Sequence, residues 1–336
     1  MKAVRYYGIH DVRFEEIAKP EPAEGEVLIR VAYGGICGSD LHIYNRQMFI
    51  QNIPETMGHE FSGTVEAIGK GVTGEIKPGD KVTAVPMVTC GRCIGCRSGY
   101  PNTCDSLGFI GEVRPGGFAE YISMPAEDII KIPSDGNLKD MVLAEPLAVA
   151  LNICELAGLS HTDKKDRLAV IGAGPIGLLT LILARQYYGV RRVDVTGRSQ
   201  FRLDLAKKLG ACLASGSLPD GSFYETVVEA AGKKKTMEMA AKYAAPNGDI
   251  IIVSVFEDPF EFDFNSIVVR QLRLIGCSAY EKRHMEKAVE IIADGSVDLS
   301  GIITSTFRPE DCGEAFARAS AKEKHDAKIV FDMQQL

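Results

Sequence analysis

Apolar positions follow two different rhythms along this chain. From Met1 to about Ser134 they fall into short runs, Glu26–Ala32, Gly63–Ile68, Lys81–Val85 and Ala119–Ser123, separated by Pro, Gly and Asp. That is the pattern of short strands joined by tight turns, and it predicts a partly open β-barrel. The start, MKAVRYYGIHDVRF, reads as a strand and a turn rather than a targeting segment. At Pro146–Gly158 the spacing changes to three and four, which predicts a helix, and a polar linker from Ser160 to Arg167 leads into an alternating pattern. Strands are predicted at Leu168–Ile171, Arg192–Thr196, Thr226–Glu229 and Asp249–Val255, with helices between them at Pro175–Tyr188, Gln200–Leu209 and Lys234–Tyr243. Alternation of this kind predicts a parallel sheet, so the fold class is α/β. After Leu272–Gly276 come a helix at Arg283–Ala293, the run Ile302–Phe307, a helix at Pro309–Ala319 and a last strand at Lys328–Asp332. The tail is expected to return to the first unit, which makes 1–150 and 284–336 one domain and 151–283 an inserted parallel-sheet domain.

A chain of 336 residues is long enough for about two domains with a large core. No apolar run approaches the roughly 20 residues that span a bilayer, so the expectation is a cytoplasmic protein with no membrane partner. The net charge of -7 argues against a nucleic-acid surface, and the basic clusters Lys207–Lys208 and Lys233–Lys235 are read as solvated faces.

Cys90, Cys93, Cys96 and Cys104 stand in the pattern C-x-x-C-x-x-C-x7-C. Four thiolates around zinc make a closed tetrahedral site that holds a loop and leaves no position for chemistry. The stretch 87–104 is too polar to hold itself by burial, so a metal would supply its folding free energy. The alternative is a pair of disulfides. Against it stand the other cysteines, scattered singly as in a reducing compartment.

Gly172, Gly174 and Gly177, with Pro175 and Ile176, spell G-A-G-P-I-G between a predicted strand and a predicted helix. This context suits a dinucleotide: one glycine for the turn, one for close approach of the pyrophosphate, one for helix–strand packing, and a helix N-terminus facing the phosphates. The next strand runs into Gly197, Arg198 and Ser199, with Arg202 a turn further on, where an NAD site would place Asp or Glu on the ribose 2′-hydroxyl. A missing carboxylate beside a guanidinium favours NADP(H). Arg202 stacked on adenine and Arg198 as a solvated side chain are the alternatives.

The segments Ile36–Tyr44 (ICGSDLHIY), Met57–Gly63 (MGHEFSG), the cysteine lobe, Gly116–Tyr121 (GGFAEY), Ala144-Glu145-Pro146 and the G-A-G-P-I-G turn occur in a particular order and spacing. Over essentially its whole length the chain resembles the zinc-containing medium-chain dehydrogenase/reductase family. The resemblance is greatest to the polyol branch, with sorbitol, butanediol, threonine and galactitol-phosphate dehydrogenases, where Glu stands in the place of a Cys of ordinary alcohol dehydrogenases. It implies a GroES-like catalytic barrel, a Rossmann domain, an active site in the cleft between them, two zinc ions per chain and a homodimer or homotetramer. By resemblance, Cys37 and His59 are ligands of a catalytic zinc, and Glu60 and Glu145 supply oxygen ligands, one of them intermittently or through water. Ser39 then matches the hydroxyl that hands on the substrate proton, His42 the onward acceptor, and Asp40 the partner that orients His59. Ser39 as a turn residue, His42 as an exposed helix residue and Asp40 as a cap are the plainer alternatives. Val253–Phe256, with Val253 and Val255, is expected to line the nicotinamide pocket through its backbone.

The implied function is a zinc-dependent, NADP(H)-preferring oxidoreductase acting on a secondary alcohol of a polyol, sugar or related small molecule. The rivals are a threonine-type or simple secondary-alcohol dehydrogenase, and a non-catalytic dinucleotide-binding redox sensor. One departure from the family is the stretch CLASGSLPDGSFYETVV between Ala211 and Glu229, too short and too rich in Gly, Pro and Ser for a full crossover helix. Cys154, Cys212, Cys277 and Cys312 are read as buried small hydrophobes, and His10, His161, His284 and His325 as surface residues.

Overall fold

The computed structural model describes residues 1–159 and 166–336. His161 and most of the expected linker lie outside the described residues. The first unit is organised around the strand Glu26–Gly35. It pairs antiparallel with Glu60–Ile68 along its length, with Tyr121–Pro125 at its start and with Lys328–Asp332 at its end. Lys81–Ala84 and Ile129–Lys131 extend the sheet on one side, and Ile303–Phe307 lies parallel to Lys328–Asp332 on the other. The chain's last strands are thus part of the first sheet.

Aromatic packing explains that return. Phe118 meets Phe331 edge-on at 5.1 Å and Phe316 at 6.3 Å, and all of these rings are fully buried. Truncating a buried phenylalanine costs about 3–5 kcal/mol, so a core that takes two of its rings from the C-terminal segment holds that segment in place. Gly58, at φ +95°, lies against the Phe118 ring where any Cβ would collide with it. The next residue is His59, so this contact fixes where the imidazole starts.

The second sheet is parallel, with the order Leu213–Ser215, Arg192–Thr196, Arg167–Ile171, Tyr224–Glu229, Ala244–Ile252 and Arg273–Gly276. Its strand Arg167–Ile171 is buried and apolar from Leu168 onward, as expected of a sheet covered on both faces, while buried Asp194 in the neighbouring Arg192–Thr196 is met by Arg192 and the Tyr224 hydroxyl. Strand order reverses beside Arg167–Ile171, and this is where a doubly wound sheet opens a crevice for a ligand. The helix predicted to Tyr188 is α-helical over Pro175–Ile182 and continues as a π-helical turn, Leu183–Tyr187. The edge strand Leu213–Ser215 forms despite the shortened crossover, and residues 216–223 join it to Tyr224–Glu229 without a helix. The strand predicted as Asp249–Val255 leaves the sheet after Ile252.

The helix Ala144–Leu156 joins the units, buried along most of its length and packed against Pro175–Ile182 and Lys282–Ala293. Two sequence readings are corrected here. Cys212 is exposed, whereas Cys154, Cys277 and Cys312 are buried as expected. His284 is buried, not on the surface, because Nε2 reaches Glu155 at 2.9 Å and Nδ1 accepts from the Glu281 amide at 3.0 Å. Among the described residues no helix is long and apolar enough to cross a membrane.

Candidate active site and metal centres

The four lobe cysteines offer sulfur atoms that all lie within 4.8 Å of one another. They are free thiols, and the Cys93 and Cys96 sulfurs stand 3.5 Å apart, well beyond a disulfide bond of about 2.05 Å. Backbone amides already point at the sulfurs: Cys93 N to Cys90 Sγ, Cys90 N to Cys104 Sγ and Ser106 N to Cys104 Sγ, each at 3.3 Å. The Cys96 and Asp105 amides pull the Cys93 thiol down to about 6, while burial pushes Cys96 up to about 11. Four converging sulfurs that cannot all ionise unaided, cradled by N–H donors, fit a structural zinc.

The second cluster joins three segments. Cys37 follows the central strand and precedes the helix Gly38–Arg46, His59 follows the Gly58 turn, and Glu60 opens the strand Glu60–Ile68. Their ligand atoms lie within 4.8 Å of one another. Burial alone would lower the His59 pKa, but Cys37, Asp40 and Glu145 outweigh it and hold it well above the ordinary value. A largely buried site that gathers a thiol, an imidazole and a carboxyl fits a divalent cation, and one S, one N and carboxylate O is a zinc donor set.

Glu145 lies in the first turn of the buried helix but outside this tight group. Burial pushes its carboxyl up to about 7, in the field of His59 and Glu60 and in the neighbourhood of the Tyr280 hydroxyl, which is itself buried with no hydrogen-bond partner among the described residues. Asp40 caps its own helix, accepting from the Cys37 amide at 2.8 Å through Oδ2. Among the described residues Asp40 Oδ1 and His59 Nδ1 are both buried without a hydrogen-bond partner, so Asp40, which the resemblance implies orients His59, makes no hydrogen bond to it here. The Ser39 hydroxyl is likewise buried without a partner. A hydroxyl kept dry and unbonded beside a metal cluster has spare donor and acceptor capacity for a ligand. His42 is anchored by a bond from Nδ1 to Glu257 at 3.1 Å.

In the glycine turn, Gly172 takes φ +120°, where a Cβ would come within 2.5 Å of the Ala230 carbonyl. At Gly174, which caps the helix Pro175–Ile182, a Cβ would meet only the Arg202 guanidinium, at 4.0 Å. The protein itself has no steric need of glycine there, which fits a position kept clear for a pyrophosphate. Gly177 closes the turn against Gly172. Ser199 caps the following helix by accepting from the Arg202 amide at 3.2 Å. Arg198 is exposed, and Arg202 is half-buried. Val253 donates its amide to Glu229 O at 3.1 Å, which places the Val253–Phe256 segment just beyond the carboxyl end of Tyr224–Glu229. Val255 is exposed there.

Several residues escaped the sequence reading. Lys328 is fully buried, pairs with the Glu60 carboxylate and donates to the Ile36 carbonyl at 3.0 Å. Tyr280 meets Glu145 from beyond the parallel sheet. Glu112 is a buried carboxyl in the field of His59 and Asp40, raised to about 7 by desolvation. Glu257 gathers His42, Arg46 at 3.4 Å and Lys233 at 2.6 Å, so Lys233 is not a purely solvated lysine. No local motif marks any of these, since each acquires its role only from the fold.

Residues 23–134 match the alcohol dehydrogenase GroES-like domain, and residues 139–332 match the glucose dehydrogenase C-terminus. The chain is 34% identical to L-threonine 3-dehydrogenase of Bacillus velezensis over 90% of both chains. It is 32% identical to 2-dehydro-3-deoxy-L-galactonate 5-dehydrogenase of Pseudoalteromonas atlantica over 94% of both. Among solved structures, a zinc-binding dehydrogenase of Sinorhizobium meliloti bound to NADP superposes with a TM-score of 0.89 at 29% identity, covering 98% of both chains. The alcohol dehydrogenase rspB of Escherichia coli CFT073, complexed with NADH, gives 0.90 at 29% identity over 99% of both chains. The GroES-like unit, the parallel Rossmann sheet and the two ligand clusters therefore identify the chain as a member of the zinc-containing medium-chain dehydrogenase/reductase family, an NAD(P)-dependent zinc alcohol/polyol dehydrogenase.

Proposed function

We propose that the enzyme interconverts a secondary hydroxyl and a ketone on a polyol, sugar or related polar small molecule, with NADP(H) as its preferred cofactor. The observation that carries the reading is the cluster of half-buried Cys37 with buried His59 and Glu60, beside a Ser39 hydroxyl with no hydrogen-bond partner among the described residues. Cys37, His59 and Glu60 would hold the catalytic zinc, with Glu145 within reach as a further ligand. Zinc bound there supplies a Lewis acid that lets an alcohol lose its proton near neutral pH. Ser39 receives that proton and passes its own toward His42. Glu257, accepting from His42 Nδ1, fixes the tautomer that leaves Nε2 free to accept. A dinucleotide held at the Gly172–Gly177 turn would supply the hydride acceptor, and the backbone of Val253 and Val255, just beyond the carboxyl end of Tyr224–Glu229, would line its nicotinamide.

The preference for NADP rests on the end of the strand Arg192–Thr196. A Cβ at Gly197 would lie 2.9 Å from the Ala173 Cβ, so an acidic side chain there would have to displace the glycine turn. Arg198 and Arg202 leave that corner positive. The homo-oligomer reading finds support in the outer edge of the parallel sheet, where Arg273–Gly276 is a mostly exposed edge strand beside Val268 and Val269. The non-catalytic reading is disfavoured because Cys37, Ser39, His59, Glu60 and Glu145 are all present.

The test is a spectrophotometric screen of sugar alcohols, sugar phosphates, diols and threonine, each with NADP and with NAD. Turnover of a polyol or sugar substrate, faster with NADP, is the expected result. Turnover of threonine alone would replace the substrate assignment with the threonine-type reading, and no turnover of any alcohol by zinc-loaded protein would overturn the proposal.

A further inference from the structure

The ribose corner of the cofactor site is completed from outside the parallel-sheet unit. Between the helix Cys312–Ser320 and the strand Lys328–Asp332, the chain runs back across the end of Arg192–Thr196. Ser199 donates its hydroxyl to the Lys324 carbonyl at 2.6 Å, and Arg202 Nε donates to the Asp326 carbonyl, also at 2.6 Å. These bonds fasten the segment that carries Lys324, whose half-buried ammonium donates to the Ala319 carbonyl and stands in the field of Arg202 and Arg198. Burial and the two guanidinium charges pull Lys324 down to about 8. The carboxylate of Asp326 exerts a favourable field on Arg202, but its hydrogen bonds go to Arg318 at 2.6 Å, Ser305 at 2.5 Å and Thr304 at 3.0 Å rather than to any of the three cations. The fold therefore holds three cations together at one corner, fastened through backbone carbonyls, with the Gly172–Gly177 turn alongside.

Like charges so placed repel each other, and a bound anion reverses the sign of that interaction. We propose that Lys324 is a specificity-determining residue which, with Arg198 and Arg202, takes the 2′-phosphate of NADP(H), so that the phosphate bridges the Rossmann unit and the segment returning to the catalytic unit. The inference rests on the NADP reading above. A phosphate monoester with close to two negative charges can accept charge-assisted bonds from all three groups. An NAD ribose offers Lys324 only a hydroxyl.

The test measures affinities of the purified enzyme for NADPH, NADH, adenosine 2′,5′-bisphosphate and 5′-AMP in the wild type, Lys324→Met and Lys324→Arg. Loss of one charge-assisted bond corresponds to roughly tenfold to a hundredfold. Lys324→Met is expected to weaken NADPH and the bisphosphate by that factor and to leave NADH and 5′-AMP unchanged, and Lys324→Arg is expected to restore most of the loss. Unchanged NADH binding also shows that the variant is folded. Unaltered NADPH binding in Lys324→Met, or equal weakening of both dinucleotides, would overturn the role of Lys324 while leaving the NADP reading standing. A wild type that binds NADH as tightly as NADPH would remove the NADP reading, and this inference with it.

Discussion

Asn102 and Ser278 exchange two hydrogen bonds: the Asn102 amide donates to the Ser278 carbonyl and the Ser278 hydroxyl donates to the Asn102 carbonyl, each at 2.9 Å. Asn102 belongs to the cysteine lobe, two residues before Cys104. Ser278 lies two residues before Tyr280, a buried residue in the electrostatic neighbourhood of Glu145, Glu60 and Cys37 at the second ligand cluster. The closed tetrathiolate lobe thus braces the segment that carries a tyrosine onto a buried active-site carboxyl.

Two zinc ions of different lability are expected per chain, because one site is closed by four thiolates and the other leaves a position open. Metal analysis during graded chelation should show one zinc and the activity leaving first. Cys37→Ser should abolish turnover in a folded protein, and Cys93→Ser should mainly lower folding yield. Asn102→Ala should keep both metals yet lose turnover severalfold, since it removes the side-chain bond to the Ser278 carbonyl, about 0.5–1.5 kcal/mol, and keeps only the bond from the Ser278 hydroxyl to the backbone carbonyl at 102. Full activity in Asn102→Ala would show that the brace has no bearing on the site.

Ser39→Ala should cut kcat severely with dinucleotide affinity nearly unchanged, because the hydroxyl has no structural partner to lose. His42→Ala should be milder, with solvent replacing the terminal acceptor. Wild-type turnover in Ser39→Ala, measured by steady-state kinetics with the best substrate from the screen, would end the relay proposal.

What the sequence made legible was chemistry carried by local spacing. The C-x-x-C-x-x-C lobe, the glycine turn and the Cys37–Asp40 cap each lie within a few residues, so the backbone alone dictates their geometry. The Phe118–Phe331 contact, the Lys328–Glu60 pair and the approach of Tyr280 to Glu145 join residues far apart in the chain, and no periodicity signals them. His284 was misread for the same reason, since only the fold brings Glu155 to it and makes its burial tolerable. Glu145 is an intermediate case: resemblance assigns it to the metal, and the structure brings it into the field of His59 and Glu60 but outside the tight ligand group.

Cofactor choice should respond to Arg198 rather than to an acid at 197. Arg198→Ala should lower kcat/KM for NADP about tenfold to a hundredfold and leave NAD little changed. Gly197→Asp should impair both cofactors, because its Cβ would crowd Ala173 at 2.9 Å. Lys324, held near 8, loses its charge as pH rises through that value, so NADPH affinity should fall between about pH 7 and 9 while NADH affinity stays level. Kinetics with both cofactors at moderate salt decide the matter. Preferential damage to NAD use in Arg198→Ala would reverse the assignment.

Acid stability should report the junction between the helices Ala144–Leu156 and Lys282–Ala293. Glu155 receives the Arg283 guanidinium at 2.6 and 2.7 Å and faces His284 Nε2 at 2.9 Å. Its hydrogen bonds to Arg283 outweigh desolvation and lower its pKa to about 2. A folded-state value below the unfolded value of about 4.3 means that the charged form stabilises the fold above that pH, and that this contribution is lost as pH falls toward 2. The Glu155 side chain is 36% exposed, so solvent screening reduces the contribution to about 1 kcal/mol. Glu155→Gln should therefore lower the urea midpoint at pH 7, and the gap to wild type should narrow as pH falls below about 4.5. Loss of the acid-labile zinc is common to both proteins and cancels in the comparison. A gap of the same size at pH 7 and pH 3 would mean that the side chain stabilises this junction by packing and not by its charge.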